Sequence, residues 1–404
     1  MKRKIRFVLL TLFAVSSASA QGLYYVGDEA QESLPIKWVL GASVIYDDNV
    51  FPGYGEKESS VGFNPYVGVS LISITPQTTW DIYARLGLVY YFDAPASMDD
   101  ISNQSRAGVN LTHRFSERLR FSSRNFISYE LEPDYSYGYA SSRQSGEYFF
   151  WQSDNSLGYR WTERVATYTG LRLNGTTYSD VENNDRFTWE LYHQFRYQLS
   201  PQTVLTGDYR YGQTTGDGVS SDSTNQYILA GVEHRFSPYA IGIVRAGIQL
   251  RDVDAGSSGS SPYVEFALNS QLNQQLQIRS FARYSIESYD TVQSFGTTLV
   301  EFDDRQTLRF GISGDYAISP KLSLFGGIDY IPTDFSSGRE ISPTAGASFA
   351  DASEDVISAH LGLSVKLNDY LTGTVSYSHT SSSSDIVRHD YDRNRISVGL
   401  SAEF

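Results

Sequence analysis

The sequence predicts an all-β fold: a transmembrane antiparallel β-barrel of about 18 strands, with 16 as the fallback. Three observations predict it. The chain ends on a strictly alternating stretch, 396–404, with Ile396, Val398, Leu400, Ala402 and Phe404 on one face and Ser397, Gly399, Ser401 and Glu403 on the other. It opens on a secretory leader, and no later run reaches the roughly 18 apolar residues that a spanning helix needs. Between the two ends, short polar turns alternate with long polar loops.

The leader has three parts. Lys2, Arg3, Lys4 and Arg6 are its positive region, 7–15 its apolar stretch, and Ala18, Ser19 and Ala20 a small-residue cleavage site. Residues 1–20 are therefore expected to be a cleaved signal peptide. Residues 21–36 are expected to form a short periplasmic segment, too short for a plug domain, and 37–404 the barrel. The leader carries four of the 32 basic residues and none of the 46 acids, so the exported chain has a net charge of −18. That excludes a basic nucleic-acid footprint, and no nucleic-acid partner is expected. With no cysteine, the chain cannot form disulfides, zinc–thiolate sites or a thiol nucleophile. The 30 Tyr, 22 Phe and 33 Gly against 2 Met are a β composition.

Eight short turns recur, at 75–78, 116–119, 162–165, 200–203, 237–240, 273–276, 319–322 and 368–371. Each begins with Ser, Thr or Asn, whose side chain can bond its own turn backbone. Nine longer segments rich in Asp, Ser, Gly and Asn lie between them, at about 47–59, 93–101, 133–146, 179–185, 213–224, 252–261, 290–303, 332–354 and 381–392. Seventeen connections join 18 strands. Short turns and long loops in alternation match the periplasmic and extracellular sides of an outer-membrane barrel, and an even strand number puts both termini on the periplasmic side.

The strands alternate accordingly. In 357–367 the apolar set is Ile357, Ala359, Leu361, Leu363, Val365 and Leu367, and the polar set includes Ser358, His360 and Lys366. Stretch 308–318 repeats this with Arg309 and Asp315 on the polar face, and 119–131 with Arg120, Arg124 and Glu130, although Phe126 breaks the polar face. Aromatics gather at strand ends. Trp38, Trp80, Phe115, Trp161 and Phe236 lie near short turns, and Tyr46, Tyr90, Trp189, Tyr284 and Tyr377 near long loops, as two interfacial girdles would require.

The C-terminal strand ending in Phe404 resembles the sorting signal of Gram-negative outer-membrane β-barrels, so Phe404 is the candidate assembly signal. The first strand runs into Tyr46, Asp47, Asp48, Asn49, Val50 and Phe51. That opening resembles the outer-membrane proteins called putative β-barrel porin 2. The resemblance implies location in the outer membrane, with outer-membrane lipid, lipopolysaccharide and the barrel assembly machinery as partners. Some members are encoded near exopolysaccharide export systems. It supplies no substrate. Asp47, Asp48 and Asn49 carry oxygen ligands suited to a divalent cation, but a solvated loop start explains them more simply, and no metal is expected.

No cofactor is expected and the chain is not expected to be an enzyme. The six His residues are scattered, and no His-Glu-x-x-His pattern, Walker loop or Gly-x-Ser-x-Gly elbow occurs. His113, His193 and His379 fall on the apolar face without an assignable Ser and acid.

The informative constellation is the inward face, where basic residues outnumber acids 20 to 11 on this register. Pore-lining candidates are Arg120, Arg124, Arg172, Arg196, Arg245, Arg279, Arg283, Arg309 and Lys366, with the acids Glu130, Glu190 and Asp315. Some of these charges pair across strands and stiffen the wall. A basic surplus favours anions, and Arg suits carboxylate and phosphate groups. The expected function is a porin-like channel for passive passage of small, preferably anionic solutes or sugars. The alternatives are an export conduit for an acidic exopolysaccharide, or a closed structural barrel.

Overall fold

In the computed structural model the described residues are 33–404, apart from 51, 53–56, 95–98, 132–146, 180–184, 218–219, 238, 255, 257, 289–290, 296–297, 343–347 and 387–388. The leader, most of segment 21–36 and loop 133–146 therefore lie outside the described residues.

The first ten strands are β1 (Leu34–Asp47), β2 (Ser60–Ile74), β3 (Thr78–Tyr91), β4 (Ile101–Arg114), β5 (Leu119–Glu130), β6 (Tyr148–Arg160), β7 (Val165–Tyr178), β8 (Arg186–Ser200), β9 (Thr203–Gly216) and β10 (Ser223–Ser237). The rest are β11 (Ala240–Val253), β12 (Ser258–Gln271), β13 (Leu276–Ile286), β14 (Val292–Phe295), β15 (Thr298–Ser319), β16 (Leu322–Ser342), β17 (Ser348–Phe349), β18 (Ala352–Lys366), β19 (Leu371–Ser384) and β20 (Tyr391–Glu403). β14 and β17 are short ribbons beside β15 and β16. The other 18 strands form one closed antiparallel barrel, each pairing with its chain neighbours. β20 returns to β1, from Val39↔Glu403 to Asp47↔Arg395. Closure leaves no open edge, which hydrocarbon would not tolerate.

All eight predicted turns form, and each is held by its leading side chain. Thr75 Oγ1 accepts from Thr78 N at 3.0 Å, Asn273 Oδ1 from Leu276 N at 2.9 Å, and Ser319 Oγ from Leu322 N at 3.1 Å. Ser116, Thr162 and Asn368 do the same, and Ser200 and Ser237 accept from the backbone N–H two residues on. The outward face is apolar: Leu40, Leu86, Leu157, Leu191, Leu361 and Val398 are all exposed. Both aromatic bands are present, Trp38, Trp161 and Phe236 at the short-turn end and Tyr46, Tyr90 and Tyr377 towards the loops.

Two expectations are corrected. β1 starts at Leu34, three residues earlier than position 37. Segments 290–303 and 332–354 are not plain loops. β15 and β16 run 22 and 21 residues, roughly twice the 9–11 that a spanning strand needs, and stay paired as far as Leu299↔Ser342. The polar composition of 332–342 hid this, because backbone pairing outside lipid needs no apolar face. Phe126 breaks the polar face, as its place in the alternation indicates. It stays on the lumenal side, 6.2 Å from Phe150, beside a buried cluster of Tyr148, Phe150 and Tyr178.

Candidate functional site: the lumenal wall and its inward strap

Period-two alternation turns the charged residues of successive strands into the lumen, where they meet across strands. On β8–β12 they form one network. Arg196 grips Glu233 through both guanidinium nitrogens, at 2.9 and 2.5 Å, and also bonds Gln194, which donates to Asp208. Arg245 bridges Glu265 at 2.8 Å and Glu233 at 3.3 Å. Tyr263 donates its hydroxyl hydrogen to Glu265. To one side Arg172 lies between Glu190 at 2.7 Å and Asp154 at 3.1 Å, with Tyr192 donating to Asp154. Tyr192 reaches this position because its ring lies flat over Gly170, where a Cβ would come within 2.4 Å of it. Arg106 pairs with Glu130 at 2.7 Å and Arg279 with Asp315 at 3.1 Å.

Of the remaining candidates, Arg120 is buried in the wall opposite Arg114, and Arg124 stands opposite Asp154. Lys366 sits at the short-turn rim, 3.4 Å from Asp369. Arg283 and Arg309 belong to a different assembly. After β13 the chain leaves the wall and enters the lumen. Glu287, buried, takes Arg309 Nε at 2.5 Å and Nη2 at 2.9 Å, Arg283 at 3.1 Å and Arg305 at 3.7 Å. Burial alone pushes its carboxyl up, but Arg309, Arg305 and Arg283 outweigh burial and hold it well below the usual carboxylate range.

The backbone of this strap is tied to the facing strands. Gln249 of β11 accepts from Ile286 N and donates to Ile286 O, both at 2.9 Å. Arg251 donates to Glu287 O at 2.8 Å, Asn225 to Ser288 Oγ at 3.0 Å, and Arg186 of β8 to Ser288 O. Nearer the loops, Glu301 accepts from Ser221 N at 2.6 Å and from Arg339. Beside it Val300, Phe302, Phe335, Ala352 and Ile386 pack as a buried apolar cluster.

Sequence alternation did not single out Asn225, Gln249, Ser288, Glu301 or Arg339. Asn225, Gln249 and Ser288 meet partners distant in sequence, and Glu301 and Arg339 face each other on β15 and β16, whose pairing here the loop-like composition hid. Arg339 and Arg393 join the inward bases, whereas Asp47, Glu301, Asp303 and Glu354 join the inward acids, so the basic surplus is smaller than the first register gave.

The opening motif sits at the barrel seam. Asp47, fully buried, accepts from Arg393 Nε at 3.0 Å and from Arg395 at 3.1 Å. Asp48 accepts from the Asn394 backbone at 2.6 Å and its side chain at 2.7 Å. Asn49 donates to Asp392 O, and the Val50 carbonyl accepts from Arg393. Tyr46 points outward, and Phe51 lies outside the described residues. These oxygens thus hold β20 to β1. At the other end of the seam Phe404 and Trp38 exchange backbone hydrogen bonds of 2.9 and 3.0 Å, and the Phe404 ring stacks on Tyr370. The outward His113, His193 and His379 each bond a Thr or Asn rather than a Ser–acid pair.

Residues 217–404 match the family model described as Putative beta-barrel porin 2. The match covers β10 to β20, whereas the motif at 46–51 that first suggested the family lies outside it. The chain is a β-barrel of the Gram-negative outer membrane, in contact with its lipids. Among solved structures it is similar to Pseudomonas aeruginosa OpdK with vanillate, at 12% identity and TM-score 0.47, covering 91% of this chain and 99% of that one. It is also similar to Pseudomonas aeruginosa OccK2 (OpdF) in complex with glucuronate, at 13% identity and TM-score 0.46, covering 91% and 98%. Acinetobacter baumannii OccAB4 is similar at 10% identity and TM-score 0.42, covering 92% and 99%. No curated protein matches the chain.

Proposed function

We propose that this barrel is a porin-like channel that passes small anionic solutes across the outer membrane. The observation that carries the reading is that four lumenal arginines face the water while their carboxylate partners lie behind them. Side chains of Arg106, Arg172, Arg283 and Arg339 are 21–30% exposed, while their partners Glu130, Glu287 and Glu301 are 8% or less and Asp154 and Glu190 are 18% and 14%. At these four positions a solute in the lumen meets guanidinium N–H groups first, with the carboxylates behind them. Forked, permanently charged donors suit carboxylate or phosphate. The lumenal residues named above, with Arg120, Arg124 and Lys366, are the proposed pore lining. Export through the leader 1–20 and insertion by the assembly machinery reading Phe404 complete the proposal.

A second reading, a closed structural barrel, rests on the strap, which joins β13 to β8, β10 and β11 across the lumen. A strap held inside the lumen also disfavours a polysaccharide conduit. Planar-bilayer recording of purified protein separates the readings. A steady conductance with a reversal potential favouring chloride over potassium supports the channel. Silence in wild type with conductance in a strap-released variant supports a barrel closed by the strap.

A further inference from the structure

The outer wall of β5 and β6 carries a feature that lipid does not explain. Ser123 Oγ donates to Asn155 Oδ1 at 2.7 Å, and Asn155 Nδ2 donates to Ser153 Oγ at 2.8 Å. Ser153 Oγ donates to Asn125 Oδ1 at 2.7 Å, and Asn125 Nδ2 closes the ring on Ser123 Oγ at 3.0 Å. All four side chains alternate with the inward Arg124 and Asp154, so they face outward. Two strands further round, Thr169 and His193 face outward at the same level and bond each other at 2.8 Å.

The depth is what matters. A strand tilted by about 40° descends about 2.6 Å per residue, so Ser123, four residues from Leu119, lies about 10 Å from the short-turn interface. That is near the middle of an apolar band about 25 Å tall. At this level the described outward positions on all other strands are aliphatic, aromatic, glycine or serine, for example Leu40, Val67, Ile312, Leu361 and Val375. The ring uses only one amide N–H of each asparagine, and each asparagine has two. The spare N–H groups face hydrocarbon, where an unpaired donor costs several kcal/mol.

We propose that this wall is an interface with a second copy of the chain, giving a two-fold dimer whose axis runs along the membrane normal. A partner must present neutral donors and acceptors at mid-membrane depth. A second copy in the same membrane does so by construction, since rotation about the normal preserves depth. Serine and asparagine are both donors and acceptors, so the patch is complementary to itself, as an isologous contact requires. A ring of three would need a second, different wall. Among the described residues, β5–β8 alone carry such a band.

The chain has no cysteine, which makes a crosslinking test clean. Ser153→Cys, oxidised in intact outer membranes, is expected to give a folded species of twice the monomer mass. Val375→Cys on β19, six strands away from β5 round the barrel, is expected to remain monomeric. Adding Asn125→Leu and Asn155→Leu should lower the Ser153→Cys crosslink at least ten-fold while the barrel stays heat-modifiable. If Ser153→Cys fails to insert, Leu157→Cys on the same wall replaces it. A folded barrel with no crosslink at either position overturns the dimer. So does an equal yield at Val375→Cys, or crosslinking to a different protein.

Discussion

At Glu287 a buried carboxylate is surrounded by Arg283, Arg305 and Arg309, and that environment sets the charge of the strap. Removing one partner of a buried pair costs about 3 kcal/mol, on the order of 100-fold in an equilibrium. Glu287→Gln should therefore loosen the strap and raise mean conductance or open time in single-channel recordings, and traces identical to wild type would detach Glu287 from permeation. The pH dependence follows from the same contacts. The folded carboxyl titrates below its unfolded value, so its contribution is complete above ordinary carboxylate values and is lost only as pH falls through the depressed one. The conductance difference between wild type and Glu287→Gln should then persist from neutral pH down to about pH 3, below the ordinary glutamate pKa of about 4.3. A difference that vanishes around pH 4–5 would mean that the guanidiniums do not protect the charge.

Among the elements, the hairpins were the most legible. Each of the eight short turns announced itself by a leading Ser, Thr or Asn, and each uses that side chain. The spanning strands were legible because lipid enforces apolar alternation on one face. Where lipid ends, that constraint ends too, which is why the extensions of β15 and β16 read as loops around Pro332 and Ser337. The seam was legible at one end only. Phe404 marks the short-turn end by being aromatic and terminal, but Asp47 finds Arg393 and Arg395 across 346 and 348 positions of sequence, and only barrel closure brings them together. Asp47→Asn leaves two guanidiniums against a neutral amide and should destabilise the barrel by about 3 kcal/mol. The heat-modifiable band should then unfold at a lower temperature than wild type, while Asp48→Asn, beside it but less buried, should shift it less. Deleting Phe404 acts at assembly instead: less protein should reach the outer membrane, with the inserted fraction unfolding near the wild-type temperature.

On the scale of the whole molecule, a chain with a large excess of acids directs most of its arginines inward. Alternation alone revealed that separation, because a barrel wall has just two faces. It did not reveal how the charges pair, since pairing depends on cross-strand register and on what the strap brings across the lumen. The pairing shrinks the basic surplus but leaves the guanidiniums of Arg106, Arg172, Arg283 and Arg339 as the wetter partners, so selectivity should depend on local presentation more than on net charge. Acidic loops act at the mouth, where charges farther apart than about 8 Å are screened at physiological salt, whereas lumenal arginines act at contact. A salt gradient across a bilayer should therefore give a reversal potential on the anion-selective side. Replacing Arg106 and Arg172 by glutamine leaves Glu130, Asp154 and Glu190 uncovered, so the potential should move towards potassium. Replacing the rim residue Lys366, whose partner Asp369 is at the turn, should move it far less. If the rim substitution has the larger effect, the mouth rather than the wall sets selectivity, and the lumenal arginines are scaffolding.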